Sequence, residues 1–331
     1  MRLPTLSDFQ EATAFVHESL DPTPQIPWPL LAQRTGAEVW VKHENHTPIC
    51  SFKVRGGLVY MDDLRRHGEA AGVIAATRGN HGQSIAFAAT RLGLAATLVV
   101  PEGNAAGKNA AMGALGGELV VHGADFEAAY EHAQALAAER NLVMVPSFDE
   151  RLVRGVGTYA LELFTAVPDL DAVYVPVGLG SGICGLMGVR DALGLKTEIV
   201  GVVAEGANCY ALSFEAGRPV STNRSTTAVG DGIATRVPSP EALDLILAGC
   251  ARIVSVSDDE MLDAIAAYHA DTHNLAEGAG ASPLAALMQE RESMAGKKVG
   301  LILTGGNVDP GVYARAIARL EAGPATKAAA E

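Results

Sequence analysis

The 331-residue chain is 48% apolar and carries 25 Lys and Arg against 38 Asp and Glu, a formal net charge of -13. That length and apolar content require a sizeable buried core, enough for one large or two medium domains. The acidic balance argues against nucleic acid or an anionic membrane as a partner, since both select basic surfaces, and leaves a small molecule as the expected ligand.

The first distinctive stretch is SFKVRGG at 51–57, a lysine behind a phenylalanine and just ahead of an arginine and a glycine pair. A lysine there is either a solvated charge or an amine with a task, and the rest of the chain has to decide. From about residue 70, short apolar runs alternate with Ala-rich stretches, the pattern of parallel βαβ units buried on both faces. Strands are predicted at 72–77, 96–101, 118–123 and 142–146, with helices at 78–93 (after a short loop), 106–116 and 125–140, and turns at Pro101, Gly123 and Pro146. A second series predicts a strand at 171–178, a helix at 182–194 and a strand at 198–205. It resumes with a strand at 251–257, a helix at 258–270 and a strand at 298–306. Residues 205–250 show no clear period and are expected as loops and short helices, and the Ala-rich end EAGPATKAAAE is expected to fray. Two α/β layers with a cleft between them follow.

Cys50, Cys184, Cys209 and Cys250 stand far apart with no C-x-x-C pair, so they read as free thiols of a reducing compartment. No apolar run approaches the roughly 18 residues of a bilayer span, and no basic-then-apolar leader opens the chain. A cytoplasmic location is expected.

The segment GSGICG, Gly180 to Gly185, follows a predicted strand, opens a predicted helix and is followed by Glu205 at the end of the next strand. This fits the dinucleotide fingerprint and an NAD-dependent oxidoreductase. The glycines at 178, 180, 182 and 185 equally suit a nest of backbone N–H groups for any phosphate, a bare monoester included. Three glycine-rich or polar patches end predicted strands, where open α/β sheets bind ligands: TRGNHGQ at 77–83, GLGSG at 178–182 and TGGN at 304–307. SFK makes a fourth.

In their order along nearly the whole chain, HENHTPICSFKVRGG, TRGNHGQSIAFAA, VPVGLGSGICG, VVAEG and LILTGGNVD resemble the fold type II (β-family) pyridoxal-phosphate enzymes, in the serine/threonine dehydratase branch that includes serine racemase. The resemblance implies an α/β fold of two open, twisted, mostly parallel sheets flanked by helices, like the tryptophan synthase β chain. It implies a large cofactor-binding domain formed by 1–47 and 151–331, with a small domain, 48–150, inserted in it and the active site in the cleft between. The implied cofactor is pyridoxal 5'-phosphate, and the implied reaction is dehydration and deamination of a β-hydroxy amino acid such as L-threonine or L-serine to a 2-oxo acid and ammonia. Narrower readings are threo-3-hydroxyaspartate, 3-phenylserine or a hydroxyectoine-pathway intermediate as substrate, or serine racemisation. A homodimer is expected from the family and from the frequency of two-fold assemblies.

By the same resemblance Lys53 is the Schiff-base amine and general base. An aldehyde cofactor needs an amine that is unprotonated part of the time, which desolvation behind Phe52 provides. Phe52 covers part of the ring, Asn80 bonds its 3' oxygen, and Gly178, Leu179, Gly180, Ser181 and Gly182 cradle the phosphate. Thr304 faces the pyridine nitrogen, a weaker support for a pyridinium than a carboxylate, so elimination is favoured over chemistry needing a long-lived carbanion. Ser51 and the loop Thr77, Arg78, Gly79, Asn80, His81 hold the substrate, the loop amides taking its carboxylate; His81 either orients this loop or transfers a proton.

Several positions depart from the family. Arg78 stands where racemases have a serine acid/base, and a guanidinium that stays protonated disfavours racemisation; it either meets a charged or aromatic substrate side chain or is structural. Cys50 replaces the usual glycine, as a reactive thiol or an inert filler that narrows the pocket. Glu205 matches the family's cation-binding glutamate without the acidic residues that follow it in metal-dependent relatives, so no metal is predicted. His43 and His46 have the wrong spacing for a zinc motif and read as polar loop residues. Arg55 is expected to anchor the small unit. No regulatory domain follows TGGNVD, which suggests a catabolic or specialised dehydratase.

Overall fold

The computed structural model describes residues 1–68 and 72–322. Residues 323–331, most of the segment expected to fray, lie outside them. The strands are β1 Gln25–Pro27, β2 Glu38–His43, β3 Gly72–Ala76, β4 Ala95–Val100, β5 Glu118–Val121, β6 Val143–Met144, β7 Ala172–Pro176, β8 Glu198–Ala204, β9 Arg252–Val256 and β10 Lys298–Leu303. The helices are α1 Leu6–His17, α2 Pro29–Thr35, α3 Lys53–His67, α4 Asn80–Arg91, α5 Ala106–Ala114, α6 Phe126–Arg140, α7 Glu150–Ala166, α8 Ser181–Ala192, α9 Cys209–Ala216, α10 Pro240–Gly249, α11 Asp258–Thr272, α12 Gly278–Gln289 and α13 Pro310–Ala322.

Two sheets form. One has the order β1-β2-β10-β7-β8-β9 and is parallel except for the antiparallel edge β1. The other, β5-β4-β3-β6, is wholly parallel and comes from chain between β2 and β7. The periodic segments at 72–146 and 171–204 become strands and helices because β3, β4, β7 and β8 are buried on both faces, which continuous apolar runs satisfy. The aperiodic 205–250 holds two short helices, α9 and α10, and two 3₁₀ turns, Glu205–Ala207 and Asp231–Ile233.

Each sheet is packed on both faces. On the large sheet, Val41, Tyr174 and Leu301 join one apolar cluster with Ile265 of α11 and Leu284 of α12, while Val173 and Ile302 join another with Tyr159 of α7 and Ile183 of α8. On the small sheet, Val73 and Leu98 pack with Leu58 of α3 and Ile85 of α4; Ile74 and Val99 pack with Ala133 of α6.

Helix α7 has no counterpart in the sequence expectations and ties the two units together. Its Gly155 has no room for a Cβ, which would lie 2.4 Å from the Arg55 carbonyl oxygen of α3, and Gly157 faces Phe9 of α1 at 2.3 Å in the same sense.

Candidate active site

The glycine pair of SFKVRGG answers to packing. A Cβ on Gly57 would lie 2.3 Å from Ser84 Oγ of α4, and one on Gly56 3.1 Å from the Leu152 carbonyl oxygen of α7. Helix α3 therefore runs wedged between two helices, and its first residue, Lys53, is fixed by its own backbone: Ser84 Oγ donates to the Lys53 carbonyl at 2.6 Å. Just before it, Ser51 bridges antiparallel to Gly305, Phe52 N–H donates to the Thr304 carbonyl at 2.9 Å, and Gly306 N–H donates to the Cys50 carbonyl at 3.0 Å. The lysine loop is thus zipped to the C-terminal end of β10.

Three more predicted groups converge on the same end of the sheets. Gly178 to Gly182 follow β7; Gly180 is the N-cap of α8 with φ +104°, a left-handed conformation suited to glycine, and no side chain caps the helix. The first N–H groups of α8 are therefore open to an anion. The turn is braced from behind by Tyr210, whose hydroxyl donates to the Leu179 carbonyl at 3.0 Å, and by Tyr159, which donates to the Gly182 carbonyl at 2.9 Å. A Cβ on Gly182 would lie 3.6 Å from the Phe52 ring, so the glycine turn and the lysine loop face each other. Ser181 and Thr304 are buried.

The loop after β3 is held by Thr77, whose Oγ1 accepts from Gly79 N–H at 3.1 Å and Gly82 N–H at 2.9 Å. The amides of Asn80 and His81, in the first turn of α4, have no helical carbonyl behind them. Burial and, second, the Lys53 charge lower the His81 pKa to about 3, so the ring is neutral, and its Nε2 is buried without a partner. Arg78 is exposed and makes no hydrogen bond or ion pair among the described residues.

Burial lowers the Lys53 ammonium to about pKa 8, against the opposing charge of Glu277. Its Nζ lies 5.0 Å from the Phe52 ring centroid. Glu277 escaped the sequence reading altogether. It is buried, accepts from Asn80 Nδ2 at 2.7 Å, and lines a cavity of about 50 Å3 with Lys108, Asp231, Asn307 and Asp309. A larger, open depression of about 440 Å3 lies between residues 2–6 and Gly188 to Ala192 and contains none of the motif residues.

Other predicted positions fall outside this group. Glu205 is exposed, and no cluster of three or more His, Cys, Asp or Glu suited to a metal occurs among the described residues. Cys50 is exposed rather than a buried filler, with φ +50°; partial burial of the thiol and the Glu277 charge push its pKa up, opposite to an activated thiolate. His43 is buried and neutral, lowered to about 4 by burial and by His46; it accepts from Trp28 Nε1 at 3.0 Å, while His46 Nε2 bonds Asn274 at 2.7 Å.

A desolvated amine, an uncapped glycine turn and an unpartnered buried imidazole nitrogen fit an anionic aldehyde cofactor. Comparison with known proteins agrees. The family described as "Pyridoxal-phosphate dependent enzyme" matches residues 16–305. The chain is 33% identical over 316 residues to the biosynthetic L-threonine dehydratase of Haemophilus influenzae, covering 92% of this chain and 61% of that protein. It therefore spans about three fifths of that relative's length. It is 33% identical over 325 residues to the L-threo-3-hydroxyaspartate ammonia-lyase of Saccharomyces cerevisiae, covering 98% of this chain and 99% of that one. The processed threonine deaminase isoform 2 of Solanum lycopersicum superposes with a TM-score of 0.86 at 28% identity, over 95% of this chain and 94% of that one.

Proposed function

The chain belongs to the pyridoxal-phosphate-dependent enzymes, and from that premise we propose that it dehydrates and deaminates a β-hydroxy amino acid, L-threonine or L-serine among them, to a 2-oxo acid and ammonia. One observation carries the reading: Phe52, next to the desolvated Lys53, stands against the Gly178–Gly182 turn, where a Cβ on Gly182 would lie 3.6 Å from its ring. Phe52, Lys53, Asn80, Gly178, Leu179, Gly180, Ser181, Gly182 and Thr304 would hold the cofactor; Ser51 and residues 77–81 would hold the substrate. The cleft between a large unit, 1–47 with 151–331, and an inserted unit, 48–150, is then the active site.

When bound, the cofactor supplies an electron sink for the pair released at the substrate Cα. Lys53, whose ammonium burial brings down to about 8, gives up its proton more readily than an ordinary lysine and takes the α proton as general base. The β-hydroxyl departs with a proton as water, and Lys53 is the positioned donor. One water is lost and one is taken up in releasing ammonia, so the net change is amino acid to 2-oxo acid plus ammonium. The amides of Asn80 and His81 take the substrate carboxylate. His81, held neutral, orients the loop and does not carry charge.

A second reading narrows the substrate. The exposed, unpaired Arg78 beside this loop suits a substrate with a second carboxylate, and the yeast relative that matches over its full length is an L-threo-3-hydroxyaspartate ammonia-lyase. No helix among the described residues is long and apolar enough to cross a membrane; a cytoplasmic homodimer is part of the proposal.

The test is a purified protein with a visible absorption band that borohydride removes while labelling Lys53, and that releases 2-oxo acid from β-hydroxy amino acids. A colourless, unlabelled preparation that still turns over would refute it.

A further inference from the structure

Glu277 occupies the N-cap of α12, with φ -77° and ψ 164°, yet its carboxylate caps nothing. The carboxylate turns instead to Asn80, whose Nδ2 donates to it at 2.7 Å. The first turn of α12 is pressed inward by glycines. A Cβ on Gly278 would lie 2.1 Å from the Val229 carbonyl oxygen, and one on Gly280 2.5 Å from that of Gly305. Gly305 in turn leaves room for the carboxylate, since a Cβ there would lie 2.4 Å from Glu277 Oε1.

The hydrogen bonds around Asn80 have only one consistent orientation. Asn307 Nδ2 donates to the Ile49 carbonyl at 2.9 Å, which can only accept, so this atom is the nitrogen. Its second hydrogen goes to Asn80 Oδ1 at 2.8 Å. Asn80 therefore turns its Nδ2 to Glu277, at 2.7 Å, and keeps one N–H free.

We propose that Glu277 is a positioning residue: with Asn307 it aims the free N–H of Asn80 at the ring oxygen of the bound cofactor, and its own protonation decides how readily that oxygen carries negative charge. The inference rests on the cofactor reading above. Burial pushes the Glu277 carboxyl up to about 7, reinforced by Asp231 and opposed by Lys108, by the Asn80 hydrogen bond and by Lys53. The charged and titratable groups facing it are Lys53 of α3, Lys108 of α5, Asp231 of the 3₁₀ turn and Cys50 of the lysine loop. Asp309 stands behind Lys108 at 3.9 Å, and His81 beside Asn80 is neutral. Below about pH 7 the carboxyl is neutral and the ring oxygen bears charge easily; above it the carboxylate opposes that charge.

The experiment titrates the visible band of the full-length holoenzyme between about pH 5.5 and 9, with kcat/KM and thermal melting measured alongside, for wild type, Glu277→Gln and Glu277→Asp. Wild type should show a spectral transition near neutrality. Glu277→Gln should stay folded and yellow but lose that transition, or shift it by more than about one pH unit, with the matching limb of the kcat/KM profile. Glu277→Asp should restore it. A Glu277→Gln variant that titrates as wild type in spectrum and kcat/KM would overturn the inference. So would loss of cofactor or fold in Glu277→Gln that Glu277→Asp does not repair, which marks a structural residue. A wild type without a visible band or a Lys53 label overturns instead the cofactor reading beneath it.

Discussion

Lys53 and Arg55 stand two residues apart on α3, both cations desolvated by the fold, and their surroundings are opposites. Arg55 is fully buried among acceptors: Nε and Nη2 donate to Glu44 at 2.7 and 2.9 Å, and Nη1 donates to Glu162 at 2.6 Å and to Thr158 at 3.0 Å. Lys42 joins from β2, donating to Glu162 and, at 2.7 Å, to the Thr23 carbonyl. Burial alone would lower the Arg55 pKa, but Glu44 and Glu162 outweigh it and hold the guanidinium above its ordinary range. Lys53 forms no ion pair among the described residues, and the charge of Glu277 only moderates its desolvation. Burial acts on both, but a guanidinium stays charged in any case and here has two carboxylates bonded to it, whereas burial lowers an ammonium, Lys53 and even Lys42 with its Glu162 partner. Arg55 thereby ties α3 to Glu44, just after β2, and to Glu162 of α7.

The sharpest way to break this contrast is Lys53→Ala. If the unpaired amine is the base, turnover should fall by at least about a thousandfold and the borohydride label should vanish. The melting temperature should hold or rise, because an uncompensated buried amine has been removed. A variant that keeps a tenth of wild-type turnover would end the argument. Arg55→Met should do the reverse. It leaves Glu44 and Glu162 buried without their cation, so denaturant unfolding should show a loss of about 3–5 kcal/mol. Its acid dependence sharpens the point. Burial raises Glu162, but Arg55 and Lys42 bring it down to about 2, below the ordinary value of 4.5 for a glutamate. A depressed carboxyl contributes stability that is in place above the unfolded value and lost as the pH falls towards the folded one. Wild type should lose stability between those values, and Arg55→Met should flatten that limb. Wild-type stability in a folded Arg55→Met would show the network to be dispensable.

Much of this contrast was legible in the sequence, and the missing part has a physical cause. Strands such as β3 and β4, buried on both faces, announce themselves as continuous apolar runs, and the turns of the candidate site after β3, β7 and β10 announce themselves as glycines where those runs stop. Helix α12 gives neither signal. Its residues from Gly278 to Leu287 are buried all round, so no polar face sets a period, and Pro283 inside it reads as a breaker. Glu277 was hidden with it: an acidic residue before glycines looks like any loop. The signal that could have found it is an acid directly ahead of small residues that let a helix approach a carbonyl. Helix α7, by contrast, carries a helical signal that the sequence reading passed over: Asp149 caps it, and Leu152, Val153, Val156, Ala160, Leu163 and Phe164 line one buried face.

Arg78 completes the comparison as a third cation of the site, unpaired like Lys53 but exposed. A guanidinium is not a base; what Arg78 offers a ligand is a fork of donors. Arg78→Ser should accordingly leave stability within about 0.5 kcal/mol, as exposed substitutions do. Its effect should appear only as a ratio. A charged hydrogen bond to a distal carboxylate is worth about 1.5–3 kcal/mol, so kcat/KM for threo-3-hydroxyaspartate relative to L-serine should fall by about ten- to a hundredfold. Measuring both substrates in one preparation removes differences in cofactor loading. An equal loss on both would make Arg78 part of the common loop geometry, and an unchanged ratio would leave it a solvated charge. In either case the chemistry of a guanidinium against that of an amine, and not the absence of a partner, separates it from Lys53.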